Sequence, residues 1–329
     1  MVGFASMTLL VFKVNQLGDN VVFLPVVQSL AAAHPDWHIV VLTSPVAARL
    51  YEVCCPQVEL RVVETAKFNG AWRQPWRLMR MAAQLRALKP EVCLLGDDQG
   101  NVAHLLARLS GATCCLGPQT PHVKLNGLLT HRAAVDASMS VAAHNWRIAG
   151  MKFALPEIMP APDLSAFGRD ESGAIVIHAG ASREYQRWPV RNFVELANRL
   201  AKSHVVRWIV QGDDAGLSDA VDRVKTGTLD ELVRVIAGAK LFVSNHSGPM
   251  HIASACGTPG VVLVGPSSLR WDPSWHRERF ALLREPRLRC QPCDLPTKPV
   301  NRCLNTQTPM ACLNRWSVEA VHERVMRML

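Results

Sequence analysis

The chain has 329 residues, 49% of them hydrophobic, a length that is long for one domain and suits two that each bury a core. No apolar run is long enough to span a bilayer, and the N-terminus lacks the charged start and cleavage site of a signal peptide, which predicts a cytoplasmic protein. The net charge of +9 suits an acidic partner, while sparse aromatic residues and the lack of a nucleic-acid-binding motif argue against nucleic acid.

The first half of the chain alternates apolar strands with helices. We predict strands over residues 8–14, 38–42, 58–63, 92–95 and 113–116, and helices over 21–33, 75–88, 101–109 and 138–148. Such alternation is typical of parallel α/β units. Pro156, Pro160 and Pro162 indicate a stiff linker, so we expect one domain over residues 1–160 and a second over 161–329.

A turn containing Gly18 and Asp19 follows the first strand. It lacks the G-x-G-x-x-G pattern, so a dinucleotide fingerprint is not supported. A carboxylate at this position could act as a general base on a hydroxyl group, or it could cap the next helix. On the residues alone, the capping role is the simpler interpretation. Asp97 and Asp98, after a later strand, leave the same choice between a functional site and a turn.

A basic stretch that also contains aromatic residues follows the third strand, and it comprises Trp72, Arg73, Trp76, Arg77, Arg80 and Arg86. A solvated helix face is the usual explanation for such a pattern. Contact with an anionic acceptor or with a membrane surface is the alternative, because basic amphipathic helices favour it. The sequence leaves the two open.

The second half repeats the alternation of strands and helices. We predict strands over residues 174–178, 206–210, 241–244 and 260–264, and helices over 194–202, 229–237, 250–256 and 317–329. Between 244 and 250, the turn formers Asn245 to Gly248 precede Pro249, which fits the first turn of a helix. Backbone N–H groups of Gly248, Met250 and His251, together with the His251 side chain, predict a phosphate or diphosphate site. An ordinary βαβ crossover is the alternative.

The stretch Ser244-Asn-His-Ser-Gly-Pro-Met-His-Ile-Ala-Ser-Ala-Cys-Gly-Thr-Pro closely resembles the signature of glycosyltransferase family 9, the ADP-heptose:lipopolysaccharide heptosyltransferases. Gly18-Asp19, the segment Ala179-Gly-Ala-Ser-Arg-Glu-Tyr-Gln-Arg-Trp-Pro and the segment Gly227-Thr-Leu-Asp-Glu-Leu are also similar to parts of that family's pattern. The resemblance implies an α/β protein of GT-B architecture, with two Rossmann-like doubly wound domains facing a central cleft and a final helix packing back on the first domain.

The resemblance also implies inverting transfer of a sugar, a heptose by preference, from an ADP-sugar to an acceptor hydroxyl without a catalytic metal. Asp19 would be the base, and the acceptor would be an anionic lipid, a glycan or a protein, with peripheral contact to the inner membrane. Arg187 stands where the family has a lysine, and His246 stands where it has an aspartate. The donor-binding residues it implies are Ser182, Arg183, Arg187, Asp213, Thr228, His246, Ser247, Gly248, Pro249, Met250 and His251.

Four cysteines near the C-terminus follow the pattern C-x2-C-x9-C-x8-C, and they are Cys290, Cys293, Cys303 and Cys312. Four thiolates at short spacing in a loop-rich cytosolic segment predict a structural zinc or iron site. Disulfides are disfavoured in that compartment, and free thiols are the other alternative.

Other functions stay open at this stage. The same fold could use a different nucleotide-sugar donor, since His246 cannot supply a fixed negative charge at neutral pH. The protein could instead bind a nucleotide sugar without transferring it, or serve as a cysteine–metal scaffold for a partner.

Overall fold

The computed structural model describes residues 7–97, 99–212, 214–285, 287–295 and 300–329. The chain divides into two compact units, Met1–Pro162 and Asp163–Leu329. Their boundary falls within the proline-containing segment that the sequence indicates as a linker.

The first unit is a six-stranded parallel sheet with strand order β3-β2-β1-β4-β5-β6. Its elements are β1 Thr8–Lys13, α1 Leu17–Val21, α2 Leu24–Ala33, β2 His38–Thr43, α3 Pro45–Cys54, β3 Glu59–Val62, α4 Thr65–Asn69, α5 Pro75–Ala87, β4 Val92–Leu95, α6 Asn101–Leu109, β5 Cys114–Gln119, β6 His131–Ala134 and α7 Val141–Gly150. The central strands are mostly apolar because helices cover both faces of such a sheet; Leu9 to Phe12 of β1 are fully buried.

The second unit repeats the plan, with strand order β12-β11-β10-β7-β8-β9 and all strands parallel. Its elements are β7 Ile175–His178, α8 Val190–Leu200, β8 Val206–Ile209, β9 Asp222–Val224, α9 Leu229–Ala237, β10 Leu241–Asn245, α10 Gly248–Cys256, β11 Gly260–Leu263, β12 Phe280–Leu283, α11 Ala311–Asn314 and α12 Val318–Met328. Within the described stretches, no helix is both long and apolar enough to cross a bilayer.

Three strands were not predicted from the sequence: β6, β9 and β12. All three lie at an edge of a sheet. An edge strand pairs on one side only and is covered less completely, so β9 has three residues and no buried position. Without a continuous apolar run, such a strand leaves little periodic signal.

In each sheet the chain adds strands first toward one edge and then toward the other. This switch lies between β1 and β4 in the first unit and between β7 and β10 in the second. Ligands of open α/β sheets bind beside the carboxyl ends of the strands at such a switch point. The turn at Asp19 follows β1, Asp97 follows β4, and the segments starting at Ala179 and His246 follow β7 and β10. Both switch points therefore carry residues that the sequence analysis selected.

The final helix, α12, buries Val318, Val321 and Val325 in the core of the second unit, against α8 and β11. The Nε1–H of Trp188, before α8, donates to the carbonyl of Trp316, 3.0 Å away, and fixes the start of this helix. Its predicted packing back onto the first domain stays a prediction.

His178 gives the second unit a pH-dependent stability. It ends β7 and is 3% exposed, and burial lowers its pKa to about 4. In the unfolded chain a histidine has a pKa of about 6.5. Below that pH the unfolded state therefore binds a proton that the folded state does not. The free energy of unfolding is thus highest above pH 6.5 and falls toward pH 4. Between pH 7 and pH 5, His178 lowers it by about 2 kcal/mol.

We predict that His178→Phe reduces the loss of unfolding free energy between pH 7 and pH 5 by about 2 kcal/mol, measured by urea denaturation followed by circular dichroism. The exposed His131 provides the matched control, and His131→Gln should keep the full wild-type loss. If His178→Phe loses as much stability as the wild type, His178 is not held neutral by burial.

Candidate functional site

Asn245 joins the segments of the second switch point. It is the last residue of β10 and is fully buried. Its Nδ2 donates to the carbonyl of Ala179, 2.7 Å away, and its Oδ1 accepts from the N–H of Trp188 at 2.8 Å. One amide side chain therefore fixes both ends of the loop 179–188 beside the start of α10. The sequence analysis treated Asn245 only as a turn former.

The N-terminus of α10 begins as the sequence predicts, with Ser247 extended before Gly248 and with Pro249 in the first turn. Gly257, at φ +70°, ends the helix in the left-handed conformation that favours glycine. One detail differs from the prediction. The Met250 N–H donates to the Ser247 carbonyl at 3.0 Å, so it does not point to an anion, and the Met250 side chain is buried against Val262 and Val264.

His251 lies in the first turn of α10 and is 4% exposed. Burial, with a smaller contribution from the charge of nearby His246, lowers its pKa to about 3, so the ring is neutral at physiological pH. It packs edge-on against Trp271, with ring centroids 6.1 Å apart. A neutral imidazole can donate one hydrogen bond to an anion, but it adds no charge.

His246 contacts a carboxylate that the sequence analysis did not select. Its Nε2 lies 3.2 Å from Oδ1 of Asp272, whose side chain is 2% exposed. Arg284 donates to the same oxygen at 2.7 Å and Arg277 to the other oxygen at 3.0 Å. Burial raises the pKa of Asp272, but His246 and the two arginines outweigh burial, and the net shift is downward. An ionised carboxylate therefore stands beside His246.

The loop that carries Asp272 is fastened to α10. Oγ of Ser254 donates to the carbonyl of Trp275 at 2.7 Å and accepts from the Trp275 N–H at 3.1 Å. Arg284 also donates to the carbonyl of Ser267, 2.8 Å away. The sequence offered one signal for Asp272: it follows the predicted strand at 260–264, and that strand lies next to β10 in the sheet.

The loop 179–188 carries the predicted phosphate-binding arginines. Arg187 donates from Nε and Nη2 to the carbonyl of Ala181, at 2.8 and 2.6 Å, and this bidentate contact closes the loop on itself. Arg183 donates to the carbonyl of Val300 at 2.7 Å and to the hydroxyl of Tyr185. Arg183 thus braces a distant segment in this structure, and Ser182 is exposed.

Thr228 and Asp213 are two further predicted donor residues. Thr228 caps α9: its Oγ1 accepts from the Glu231 N–H at 3.3 Å, and the Glu231 carboxylate accepts from the Thr228 N–H at 3.0 Å. That capping box confirms the predicted start of the helix and uses the threonine hydroxyl as an acceptor, which leaves its O–H able to donate. Asp213 lies outside the described residues.

The switch point of the first unit is charged. Asp19 is half-buried in the first turn of α1, and its carboxylate accepts from the Gln16 N–H at 3.0 Å. Burial raises its pKa, Lys13 and the Gln16 N–H oppose that rise, and the net shift is upward. The structure thus gives Asp19 a helix-capping contact together with a basicity above that of an ordinary aspartate.

Lys13 and His144 complete this cluster, and neither was selected from the sequence. Lys13 is fully buried, and its Nζ donates to the carbonyl of Asp97 at 2.8 Å. The Asp97 carboxylate lies 3.0 Å from Nδ1 of His144. A lysine inside the apolar strand at 8–14 was the one available sequence signal. Asp98 lies outside the described residues.

The four C-terminal cysteines line one pocket, together with Tyr185 and Pro266. All four are free thiols. Burial, with smaller contributions from the charges of Cys293, Cys303 and Cys290, raises the pKa of Cys312 to about 11. The Met310 N–H donates to Sγ of Cys303 at 3.3 Å. Among the described residues, no three cysteine, histidine or acidic side chains are close enough together to hold a metal ion.

Comparison with known proteins shows what the chain is similar to. The sequence model of glycosyltransferase family 9 (heptosyltransferase) matches residues 130–301, just over half of the chain. Lipopolysaccharide heptosyltransferase 1 of Salmonella typhimurium is 30% identical over 103 residues, which are 29% of this chain and 32% of that protein. Lipooligosaccharide heptosyltransferase 2 of Campylobacter jejuni is 25% identical over 195 residues, 53% of this chain and 58% of that one. The chain thus matches less than two thirds of either relative's length.

The fold matches over nearly the whole chain. The structure of the E. coli heptosyltransferase WaaC with ADP superposes with a TM-score of 0.71, covering 98% of this chain and 100% of that one at 16% identity. The predicted fold class, an α/β protein of two Rossmann-like domains as in GT-B glycosyltransferases, is confirmed.

Proposed function

Because this chain belongs to glycosyltransferase family 9, we propose that it transfers a heptose from an ADP-sugar to an acceptor hydroxyl. The observation that carries this proposal is the second switch point, where Asn245 holds the loop 179–188 beside the N-terminus of α10. A fold similar to that of a heptosyltransferase solved with ADP supports the choice of nucleotide.

We propose that the donor diphosphate binds at the start of α10. The Gly248 N–H and the positive end of the helix dipole attract an anion there, and Gly248 has no Cβ to hold it away. His251, buried and neutral, can donate one hydrogen bond. Arg187 can exchange its contact with Ala181 for a bidentate grip on phosphate. These groups would stabilise the departing ADP without a catalytic metal. Ser182, Arg183, Asp213, Thr228 and Ser247 remain proposed donor contacts.

For the donor sugar, we propose that His246 and Asp272 act as a pair. If Nε2 of His246 donates to Asp272, its Nδ1 is left as an acceptor for a sugar hydroxyl. The neighbouring carboxylate keeps negative charge at this point although the family aspartate is absent. The pair would thus take the place of the aspartate that the sequence resemblance implies at this position, whether that residue contacts the donor sugar or orders its loop.

For the acceptor, we propose Asp19 as the general base in the first unit. The acceptor oxygen would attack the anomeric carbon while the bond to ADP breaks, and Asp19 would take the hydroxyl proton, which inverts the anomeric configuration. Its raised pKa suits this role, because a stronger base removes a proton more effectively. Proposed acceptors are an anionic lipid, a glycan or a protein.

We predict that Asp19→Asn lowers kcat by about 10²- to 10⁴-fold, the usual contribution of a general base, and leaves the Kd for ADP unchanged. Transfer from ADP-heptose and calorimetric titration with ADP measure the two quantities. The exposed Asp36 serves as the control, and Asp36→Asn should behave as the wild type. Undiminished turnover in Asp19→Asn would show that Asp19 is not the general base. A wild type that binds ADP-heptose but does not transfer the sugar would indicate a binding protein.

We also predict that His246→Asp weakens ADP-heptose binding by roughly tenfold or more, because it places a second carboxylate against Asp272. The double variant His246→Asp/Asp272→Asn should regain most of that affinity, since it again has one carboxylate at the site. Calorimetric titration measures all three proteins. If His246→Asp leaves affinity, rate and donor preference unchanged, the proposed pair has no role in recognition.

We further propose that Cys290, Cys293, Cys303 and Cys312 hold a structural zinc or iron ion. The four cysteines line one pocket, and a tetrahedral thiolate set is the donor set that these metals prefer. A bound ion would draw the sulfurs closer together than they lie in this structure. Elemental analysis should find one metal per chain, lost together with thermal stability in Cys290→Ser/Cys293→Ser and retained in Cys54→Ser. A metal-free wild type with unchanged stability would contradict this proposal.

A further inference from the structure

The first unit exposes three large apolar side chains within eight residues of sequence. Trp72, in a single 3₁₀ turn over Ala71–Arg73, is 61% exposed, and Trp76 and Met79 on α5 are 64% and 58% exposed. Tryptophan is among the residues that folding buries most on average, so two adjacent exposed indoles are unusual. We call Trp72, Trp76 and Met79, with Arg73, Arg77 and Arg80, the indole–arginine patch.

The core of the first unit does not need these side chains. The inner face of α5 consists of Leu78, Met81, Ala82 and Leu85, which pack in the core cluster. Trp76, Met79 and Arg80 follow the i, i+3, i+4 spacing of one helix face, on the side away from that cluster. Ahead of the helix, Phe68 and Ala71 are buried and hold the 3₁₀ turn in place. The buried residues beneath the patch therefore hold its exposed side chains on a fixed backbone.

The charge of the segment has one sign. Between Thr65 and Pro90 the sequence contains no acidic residue, and its basic residues are Lys67, Arg73, Arg77, Arg80, Arg86 and Lys89. Arg73 lies over the Trp72 ring at 5.1 Å and Arg77 over the Trp76 ring at 5.4 Å. The guanidinium groups are thus held beside the indoles, so that one partner surface would meet both.

We propose that the indole–arginine patch docks this protein on an anionic phospholipid bilayer. Indole rings prefer the headgroup region, where an apolar ring and a polar N–H are both satisfied. Arginine pairs with lipid phosphate, and a negative surface attracts a basic segment that carries no acidic residue. The exposed side chain of Met79 adds apolar surface to the patch. This docking goes beyond sugar transfer and does not depend on which donor or acceptor the protein uses.

The test is sedimentation of the full chain with vesicles of phosphatidylcholine alone or of phosphatidylcholine mixed with phosphatidylglycerol. The wild type should bind the anionic vesicles, with an affinity that falls as salt rises. Arg73→Gln/Arg77→Gln/Arg80→Gln should lose affinity on the order of 100-fold, from about fivefold for each arginine. Trp72→Ser/Trp76→Ser should lose on the order of tenfold or more at constant charge.

Matched controls separate the patch from net charge and from misfolding. Arg315, Arg324 and Arg327 are exposed residues of the second unit, and Arg315→Gln/Arg324→Gln/Arg327→Gln removes the same charge. This variant should keep most of the wild-type affinity. Unchanged thermal midpoints and ADP binding would show that every variant folds.

Three results would overturn the proposal: equal binding to neutral and anionic vesicles, equal losses in the patch variant and the control variant, or no vesicle binding by the wild type. Sedimentation velocity adds a fourth. If the wild type self-associates and Trp72→Ser/Trp76→Ser abolishes that association, the patch is an interface between copies of the chain.

Discussion

The second unit depends on one buried amide, that of Asn245. A buried amide is stable only when its donor and acceptor both find partners, and here these are the Ala179 carbonyl and the Trp188 N–H. The contact fastens the loop after β7 to the end of β10. Without it, the backbone groups of Ala179 and Trp188 would be buried unpaired, and the loop that carries Arg187 would lose its position beside α10.

The two units use the same topology for different chemistry. At the switch point of the first, Lys13, Asp19, Asp97 and His144 bring several ionisable groups together, and Asp19 gains basicity from burial. At the switch point of the second, His251 is held neutral, and the start of a helix supplies the attraction for an anion. A charged cluster suits proton transfer, while an anion site suits the binding of a diphosphate.

Local features were predictable from the sequence. The unit of β10, α10 and β11 has an apolar strand, a proline in the first helical turn and a terminal glycine, and each signal acts within a few residues. The capping box of Thr228 and Glu231 is equally local.

Contacts between distant parts of the chain were not predictable. His246 meets Asp272 across 26 residues, and Asn245 meets Trp188 across 57. Arg183, which we expected at a phosphate, instead donates to the carbonyl of Val300, 117 residues away, and the sequence gives no sign of this contact. Spacing along a sequence gives no register for such pairs, and only the sheet order brings them together.

The most direct test of the proposed donor site is calorimetric titration of the wild-type chain with ADP, UDP and GDP. The account predicts selective binding of ADP, and a marked loss of that affinity when Arg187 is replaced by alanine. Preference for UDP or GDP would keep the fold and contradict the proposed donor. Binding of none of the three would contradict the diphosphate site at the start of α10.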